Sequence, residues 1–196
     1  MRKLLRRGNH KLPRTTAIFN WPHRTTCPGA TADCKKYCYA RKAEVQYKQV
    51  LPYRYNNFAE SKLDTFVQNI CTELRHSRGI TAVRVHESGD FYCQAYVDKW
   101  EAIARQFPNI QFTFYTKSFH LFDFTKIREL SNVTAFASID PTTPLERLTK
   151  ANGWAKATVI LRTAKAPNGY FLCPGSCKSC THCYNPKAHS VAFKQH

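Results

Sequence analysis

The sequence predicts an α/β protein, a partial and open barrel of five or six βα units with parallel strands, followed by a cysteine-rich metal-binding segment. Three observations predict it: β-branched and aromatic runs alternate with amphipathic stretches, polar residues follow those runs, and most of the nine cysteines fall in two groups. A chain of 196 residues can bury the core of one domain and is short for two. Five or six units are too few for a closed eight-fold barrel, so we expect an open one.

The predicted strands and helices follow one another along most of the chain. The strands are expected at 15–21, 81–86, 110–115, 133–139 and 157–161, with a short sixth at 190–193. The helices are expected at 56–78, 94–106, 124–130 and 144–151. Alternation at this spacing indicates right-handed crossovers, and therefore a parallel sheet.

Residues 1–14 are predicted to be a basic N-terminal arm, and residues 15–196 a single domain that includes the cysteine-rich segment 173–183. The 30 lysines and arginines outnumber the 13 acids and give a net charge of +17, which favours a polyanionic partner such as nucleic acid, or an anionic substrate. No apolar stretch is long enough to span a bilayer, and no secretory signal precedes the arm. We therefore expect no membrane contact and a cytoplasmic location; the sequence does not define the oligomeric state.

The cysteines predict a metal centre. Their odd number and the absence of an export signal argue against a disulfide framework. Cys173, Cys177, Cys180 and Cys183 supply four thiolates within eleven residues. Their Cys-x2-Cys-x2-Cys core is closer to a ferredoxin-type run than to a zinc ribbon, whose pairs are separated by a longer loop. His182, inside this run, is expected beside the ligands and not among them.

A second group, Cys27, Cys34 and Cys38, follows the first predicted strand. Three thiolates on a four-iron cluster leave one iron open, as a catalytic or substrate-binding centre requires. A fourth protein ligand remains an alternative, with His86, Cys93 and the C-terminal cysteines as candidates, and so does one cluster shared by both groups. Cys71 lies on the apolar stripe of a predicted helix and is expected in the core.

Polar residues at the strand ends predict a ligand site on one edge of the sheet, because functional loops follow the carboxyl ends of parallel strands. Glu87, Asp90 and Lys117 are the candidate catalytic residues. The residues expected to bind a cofactor or an anionic ligand are His86, Glu87, Ser88, Gly89, Asp90, Ser138 and Arg162.

The segments Cys27-Pro-Gly-Ala through Cys34-Lys-Lys-Tyr-Cys38-Tyr-Ala, His86-Glu-Ser-Gly-Asp90 and the cysteine-rich end together resemble the phage-encoded gene product 88 family, with an architecture similar to that of radical S-adenosylmethionine (radical SAM) enzymes. The resemblance implies a [4Fe-4S] cluster on Cys27, Cys34 and Cys38, a second cluster or a shared one at the C-terminal cysteines, and S-adenosylmethionine beside residues 87–90. It also implies an electron donor and, for a phage-encoded protein, the host cytoplasm. The loop spacing of x6 and x3 differs from the x3 and x2 that is usual in radical SAM enzymes.

Two functions follow, and the sequence does not decide whether the protein is an enzyme. The first is redox or radical chemistry at an iron–sulfur cluster. The second is a metal-stabilised nucleic-acid-binding module, holding zinc or iron–sulfur without catalysis. Tyrosines that alternate with lysines and arginines between residues 37 and 55 favour the second function, since such a pattern can stack bases and neutralise phosphates.

Overall fold

The computed structural model describes residues 3–195, which form one sheet, with helices between the successive strands from the second to the sixth. The strands are β1 (Arg6–Arg7), β2 (Thr16–Phe19), β3 (Ala82–Val85), β4 (Gln111–Thr116), β5 (Val133–Ile139), β6 (Ala155–Ile160), β7 (Phe171–Leu172) and β8 (Val191–Lys194). The helices are α1 (Ala32–Lys36), α2 (Ala40–Gln46), α3 (Val50–Lys62), α4 (Phe66–His76), α5 (Gln94–Gln106), α6 (Thr125–Arg128) and α7 (Leu145–Lys150), with a 3₁₀ turn at His182–Tyr184.

The eight strands lie in the order β1-β2-β3-β4-β5-β6-β8-β7. All neighbours pair in parallel except β1, which is antiparallel to β2. Across residues 3–195 the sheet stays open, with β1 and β7 at its edges. The prediction of a mostly parallel, unclosed α/β sheet is confirmed, and so is the short sixth strand, which is β8.

Different parts of the chain pack on the two faces of the sheet. On β3, Val83 and Val85 pack into the main core with the side chains of α4 and α5. The intervening Arg84 points to the opposite face, where its guanidinium lies 3.9 Å from the ring centroid of Tyr115. There a smaller core of Phe136, Ala157 and Val191 is covered by Cys173, Cys183 and Ala188 of the C-terminal segment. The cysteine-rich segment is thus part of the packing of the sheet.

The helix predicted at 56–78 is wrong as one element, because the chain forms α3 and α4 with a break at residues 63–65. Leu63 is extended, with φ −73° and ψ 150°. Lys99 Nζ, on α5, donates to the carbonyl oxygens of Ser61 (3.0 Å) and Leu63 (2.9 Å). A cation that donates to the last carbonyl oxygens of a helix stabilises its C-terminal end. Lys99, on α5, therefore stabilises the end of α3.

Residues 3–14 pack against the body of the protein and do not extend from it. Leu4 and Leu5 are buried, and their amides donate to the carboxylate of Glu73 on α4. The side chains of Arg6 and Arg7 on β1 are exposed, so this segment is fixed through its backbone and leucines while its cations face solvent. Among the described residues no helix is both long and apolar enough to cross a membrane.

Candidate functional site

The loop that bears Cys27, Cys34 and Cys38 lies over the carboxyl ends of β4 and β5. A Cβ built on Gly29 would come within 2.3 Å of the carbonyl oxygen of Lys117, so the loop approaches that backbone as closely as glycine permits. Arg147 donates to the carbonyl oxygen of Gly29 at 3.1 Å. The loop is therefore docked on the strand ends.

An ion pair fixes the other side of this loop. Lys117 Nζ lies 2.6 Å from Asp140 Oδ2, and Thr31 Oγ1 donates to the same oxygen. Thr31 is also the N-cap of α1, where its hydroxyl accepts the amide of Cys34 at 3.3 Å. Burial opposes ionisation of Asp140, but the hydrogen bonds from Lys117 and Thr31 outweigh it and hold the pKa below the ordinary value. An ionised Asp140 thus connects the helix that carries Cys34 to the ends of β4 and β5.

Asp90 lies next to this ion pair and is buried. Its carboxylate accepts from the Thr116 hydroxyl and the Phe91 amide, both at 2.7 Å, and from the Lys117 amide at 2.8 Å. Burial raises the pKa of Asp90 to about 6, although these three donors favour the charged form. Asp90 and Lys117, both candidate catalytic residues, are therefore neighbours at the three-cysteine loop. Glu87 bonds to the side chains of Asn9 and Asn20 at 2.6 and 3.4 Å.

The three thiols of the loop share one electrostatic environment. The pKa of Cys27 is raised to about 12, mainly by burial, and the charges of Asp90, Cys34 and Cys38 act in the same direction. Burial also raises the pKa of Cys34, with Lys117 acting in the opposite direction. The thiols thus lie near enough to interact, and burial favours the protonated forms of Cys27 and Cys34.

The four C-terminal cysteines come together on the sheet face opposite the helices. The amide of Cys173 donates to Ala192 on β8, and the amide of Cys177 donates to Lys11, both at 2.9 Å. Burial raises the pKa of Cys183 to about 11, Tyr115 lowers it by a hydrogen bond, and Cys173 and Cys177 raise it. Cys180 in turn acts on the thiol of Cys177. Cys183 therefore lies near Cys173 and Cys177, and Cys177 lies near Cys180.

Arg84 is a site residue that the sequence analysis missed. Its Nε donates to the carbonyl oxygen of His86 at 3.0 Å, and its charge lowers the pKa values of the Cys177 and Cys183 thiols. In the described part of the chain, no carboxylate forms an ion pair with it. The alternation of β3 predicts that residue 84 faces away from the core, but only the returning C-terminal segment makes that face a buried one.

Two residues of the predicted cofactor site lie elsewhere. His86, with φ 68°, points its imidazole into the core, where it stacks on Trp21 at 4.7 Å and bonds to the Tyr96 hydroxyl at 2.8 Å. Arg162 is exposed and donates to the carbonyl oxygen of Gln195 at 3.1 Å. Neither side chain reaches the three-cysteine loop through the contacts seen here.

The remaining predicted residues support the site through the backbone. Gly89, with φ 82°, lies so close to Trp21 that a Cβ would come within 1.7 Å of Cδ1. The carbonyl oxygen of Ser88 accepts the amide of Trp21, and that of Ser138 accepts from Lys117 Nζ, both at 3.3 Å. Residues 88 and 89 therefore position Asp90, and Ser138 positions Lys117.

The other cysteines and the histidine of the cysteine-rich segment have separate surroundings. Cys71 is buried in α4, as predicted. Cys93 is the residue that precedes the first turn of α5. His182 stacks on Phe171 at 4.1 Å, and its Nε2 lies 2.9 Å from the carbonyl oxygen of His189.

Within residues 3–195, no three or more His, Cys, Asp or Glu side chains are assembled in the geometry of a metal site. All nine cysteines are free thiols. The donor chemistry of both groups suits an iron–sulfur cluster, and in each group the thiols already interact. Ligation would require the loops to move the sulfurs inwards, so metal binding would be coupled to local folding.

The fold and the site define an α/β protein whose open parallel sheet carries a three-cysteine loop and an Asp–Lys pair at the carboxyl ends of its strands. The model of the gene product 88 family matches residues 3–151, and the chain belongs to this phage-protein family. The matched range contains Cys27, Cys34 and Cys38, whereas the four-cysteine segment lies beyond it.

Two curated relatives are gene 88 proteins of mycobacteriophages. The protein of Mycobacterium phage D29 is 29% identical over 126 residues, covering 59% of this chain and 52% of its own length. That of Mycobacterium phage L5 is also 29% identical over 126 residues, covering 59% of this chain and 53% of its own length. The chain thus spans about half the length of the curated relatives it matches. No solved structure matches it.

Proposed function

We propose that this protein binds a [4Fe-4S] cluster through Cys27, Cys34 and Cys38 and carries out redox or radical chemistry there, as a relative of radical SAM enzymes. The observation that carries the proposal is the placement of three interacting free thiols on one docked loop at the carboxyl edge of the sheet. The sequential order of the parallel strands β2 to β6 supports a partial barrel of the radical SAM type. When bound, such a cluster would supply an electron and one iron without a protein ligand.

The residues around the loop would bind and orient an anionic or zwitterionic ligand. Lys117 places its ammonium group between Asp140 and the carbonyl oxygen of Ser138, close to Cys34. Asp90 lies beside Cys27, and its raised pKa makes it able to hold a proton near neutral pH. The ammonium group would attract a carboxylate, and the Asp90 carboxyl would accept from or donate to an amino group. Asp90 and Lys117 are the residues that we expect to touch the ligand.

The C-terminal cysteines would hold a second cluster. Four thiolates would complete its coordination, so its role would be structural or electron transfer. Arg84, half-buried and without a carboxylate partner among the described residues, would balance part of the negative charge of that cluster. Its position on β3 places this charge on the sheet face that the cysteine-rich segment covers.

Iron and sulfide analysis of protein purified without oxygen tests the proposal. We expect brown protein with about four irons per chain for one cluster and about eight for two. Replacing Cys27, Cys34 and Cys38 together by Ala should remove one cluster. Replacing the four C-terminal cysteines should remove the other, while Cys71→Ala, the matched control in the core, should leave the iron content unchanged.

Other results would reject the proposal in defined ways. Colourless protein with stoichiometric zinc supports the alternative, a metal-stabilised nucleic-acid-binding module. Iron that survives the triple Cys→Ala variant would show that the loop is not its ligand. S-adenosylmethionine added to the reduced protein should change the EPR spectrum; an unchanged spectrum, with no deoxyadenosine released, would remove radical SAM chemistry and leave a redox cluster.

A further inference from the structure

We infer that the outer surface of α1–α3, here called the tyrosine–cation surface, binds single-stranded nucleic acid. It consists of the exposed side chains between residues 35 and 55. This inference goes beyond the cluster proposal and does not require a bound metal. It concerns a surface whose composition differs from that of the rest of the chain.

Aromatic rings are unusually exposed on this surface. Tyr37 is 60% exposed, Tyr47 48% and Tyr55 50%, whereas most large aromatic side chains of the described residues are buried or half-buried. Tyr39 is also exposed, and its hydroxyl donates to the carbonyl oxygen of Glu87, which fixes the ring direction. Large rings left in solvent mark a surface that another molecule covers, and tyrosine rings can stack on bases.

Positive charges surround these rings. Five cations of the surface are exposed: Lys35, Lys36, Arg41, Lys42 and Lys48. The ammonium group of Lys36 lies 5.1 Å from the ring centroid of Tyr37. Arg24, outside the segment, donates to the carbonyl oxygen of Lys35 and adds a further charge beside it. Alternating rings and cations provide both contacts that a flexible nucleic-acid strand needs, namely stacking and phosphate neutralisation.

Between residues 35 and 55 the surface exposes no carboxylate, and the flanking acids Asp33 on α1 and Glu60 on α3 are half-buried. Glu44 is the one acid between residues 34 and 59, and it is buried. It pairs with the guanidinium of Arg54 on α3 and with the ring and amide of His23. Arg54 also donates to the carbonyl oxygen of Ala40 at 3.1 Å, so this ion pair connects α2 to α3. The acid therefore stabilises the arrangement of the helices without weakening the positive potential outside them.

Stacking favours a single strand over a duplex, because a duplex hides its base faces between neighbouring base pairs. The surface also includes α1, the helix that carries Cys34, so a bound strand would lie beside the three-cysteine loop. The same cations would be less selective if they acted alone, since phosphate contacts are present in both forms. The tyrosines are thus the part of the surface that decides the partner.

Fluorescence anisotropy of the full chain with a labelled oligothymidine of about 20 nucleotides tests the inference. The variant Tyr47→Ala/Tyr55→Ala should bind about tenfold or more weakly, while Tyr47→Phe/Tyr55→Phe, which keeps both rings, should bind as the unchanged chain does. The variant Lys42→Ala/Lys48→Ala should bind more weakly and lower the slope of log K against log salt by about 1.4, two phosphate contacts on a single strand.

The control for net charge is Lys126→Ala/Lys150→Ala, which removes two exposed cations outside the surface. Equal losses for both lysine pairs would show that net charge alone drives binding and would overturn the inference. Unchanged affinity of the Tyr→Ala pair would do the same, provided that circular dichroism shows a folded chain. Tighter binding of a duplex of the same length would assign the surface to duplex nucleic acid instead. Repeating the assay on the triple Cys→Ala variant separates this result from the cluster proposal, since binding should persist there.

Discussion

Replacing Gly29 by Ala tests how the three-cysteine loop is docked. A Cβ at this position would lie 2.3 Å from the carbonyl oxygen of Lys117, 2.5 Å from its carbonyl carbon and 2.8 Å from the amide nitrogen of Ser118. All three atoms belong to the backbone and cannot rotate away. To restore an ordinary contact of about 3.4 Å or more, the loop must move by about 1 Å away from the end of β4.

The expected cost follows from this displacement. Forced over-packing of a well-packed site typically costs about 1–3 kcal/mol, and we expect the free energy of unfolding of Gly29→Ala to fall within this range. Because the ion pair of Lys117 and Asp140 also holds the loop, the movement should be local. The thiols of Cys27 and Cys34 should then be more accessible, since they lose part of their cover.

Urea unfolding followed by circular dichroism measures the free energy, and alkylation rates followed by mass spectrometry measure thiol access. Gly153→Ala is the control, because an added Cβ there meets nothing within 4 Å, although its φ of 75° adds strain of about 1 kcal/mol. If Gly29→Ala is as stable as the unchanged chain and its thiols react at the same rates, the loop does not rest on the Lys117 backbone and the description of the site is wrong.

Three further predictions concern charges around the two cysteine groups. Lys117→Met should lower the free energy of unfolding, measured by urea titration, by about 2–4 kcal/mol, because it leaves the half-buried Asp140 without its cation. The double variant Lys117→Met/Asp140→Asn should recover part of this loss. If it does not, the ion-pair explanation is wrong. Burial raises the pKa of Asp90 to about 6, above the value of about 3.9 in an unfolded chain, so the folded state binds this proton more tightly. The contribution of Asp90 to the free energy of unfolding is therefore complete below about pH 4 and is lost as the pH rises to about 6, by about 3 kcal/mol at most. In urea unfolding measured across this pH range, Asp90→Asn should remove this pH dependence. An unchanged dependence would refute the assignment. Arg84→Gln should slow the alkylation of Cys177 in the metal-free protein at pH 8, because the guanidinium lowers the pKa of that thiol. Peptide mass mapping measures the rate. An equal or faster rate would show that Arg84 does not act on Cys177.

The sequence predicted the elements whose buried side chains are apolar and periodic. In α5 the buried residues are Tyr96, Val97, Trp100, Ile103 and Ala104, and this spacing identifies the helix without knowledge of the fold. The parallel strands β2 to β6 and β8 are equally visible, because β-branched and aromatic residues run through them, whereas the two-residue β7 is not predicted. The local hydrophobic pattern is sufficient to predict an element wherever the buried side chains are also the hydrophobic ones.

The sequence predicts only residues 56–62 of α3, as the start of one longer helix, because α3 buries polar side chains. Arg54, Asn57 and Ser61 face inwards, and Asn57 donates to the carbonyl oxygens of Leu4 and Asn20, both at 3.0 Å. These acceptors lie on segments distant in the sequence. A buried amide with partners from two other segments has no signature in a hydrophobic pattern, so only the folded chain shows that the helix begins at Val50.

The candidate site divides in the same way. Cysteine spacing and the polar residues after each strand point to the two thiol groups, Asp90 and Lys117 from the sequence alone. The role of Gly29 depends on contact with Lys117, 88 positions away in the chain, and His86 turns into the core because its backbone adopts φ 68°. Contacts between loops and the direction of a side chain at a strand end are properties of the assembled sheet.

The cover that the C-terminal segment gives to Phe136, Ala157 and Val191 has a practical consequence for shortened versions of this protein. A chain that ends at residue 170 would lack β7 and β8. β6 would then be an unpaired edge strand next to an exposed apolar surface. Such a product should self-associate, because an unpaired edge strand beside solvent-exposed apolar surface promotes aggregation. The tail that carries four thiols is thus also a solubility element, and expression boundaries should be placed beyond it.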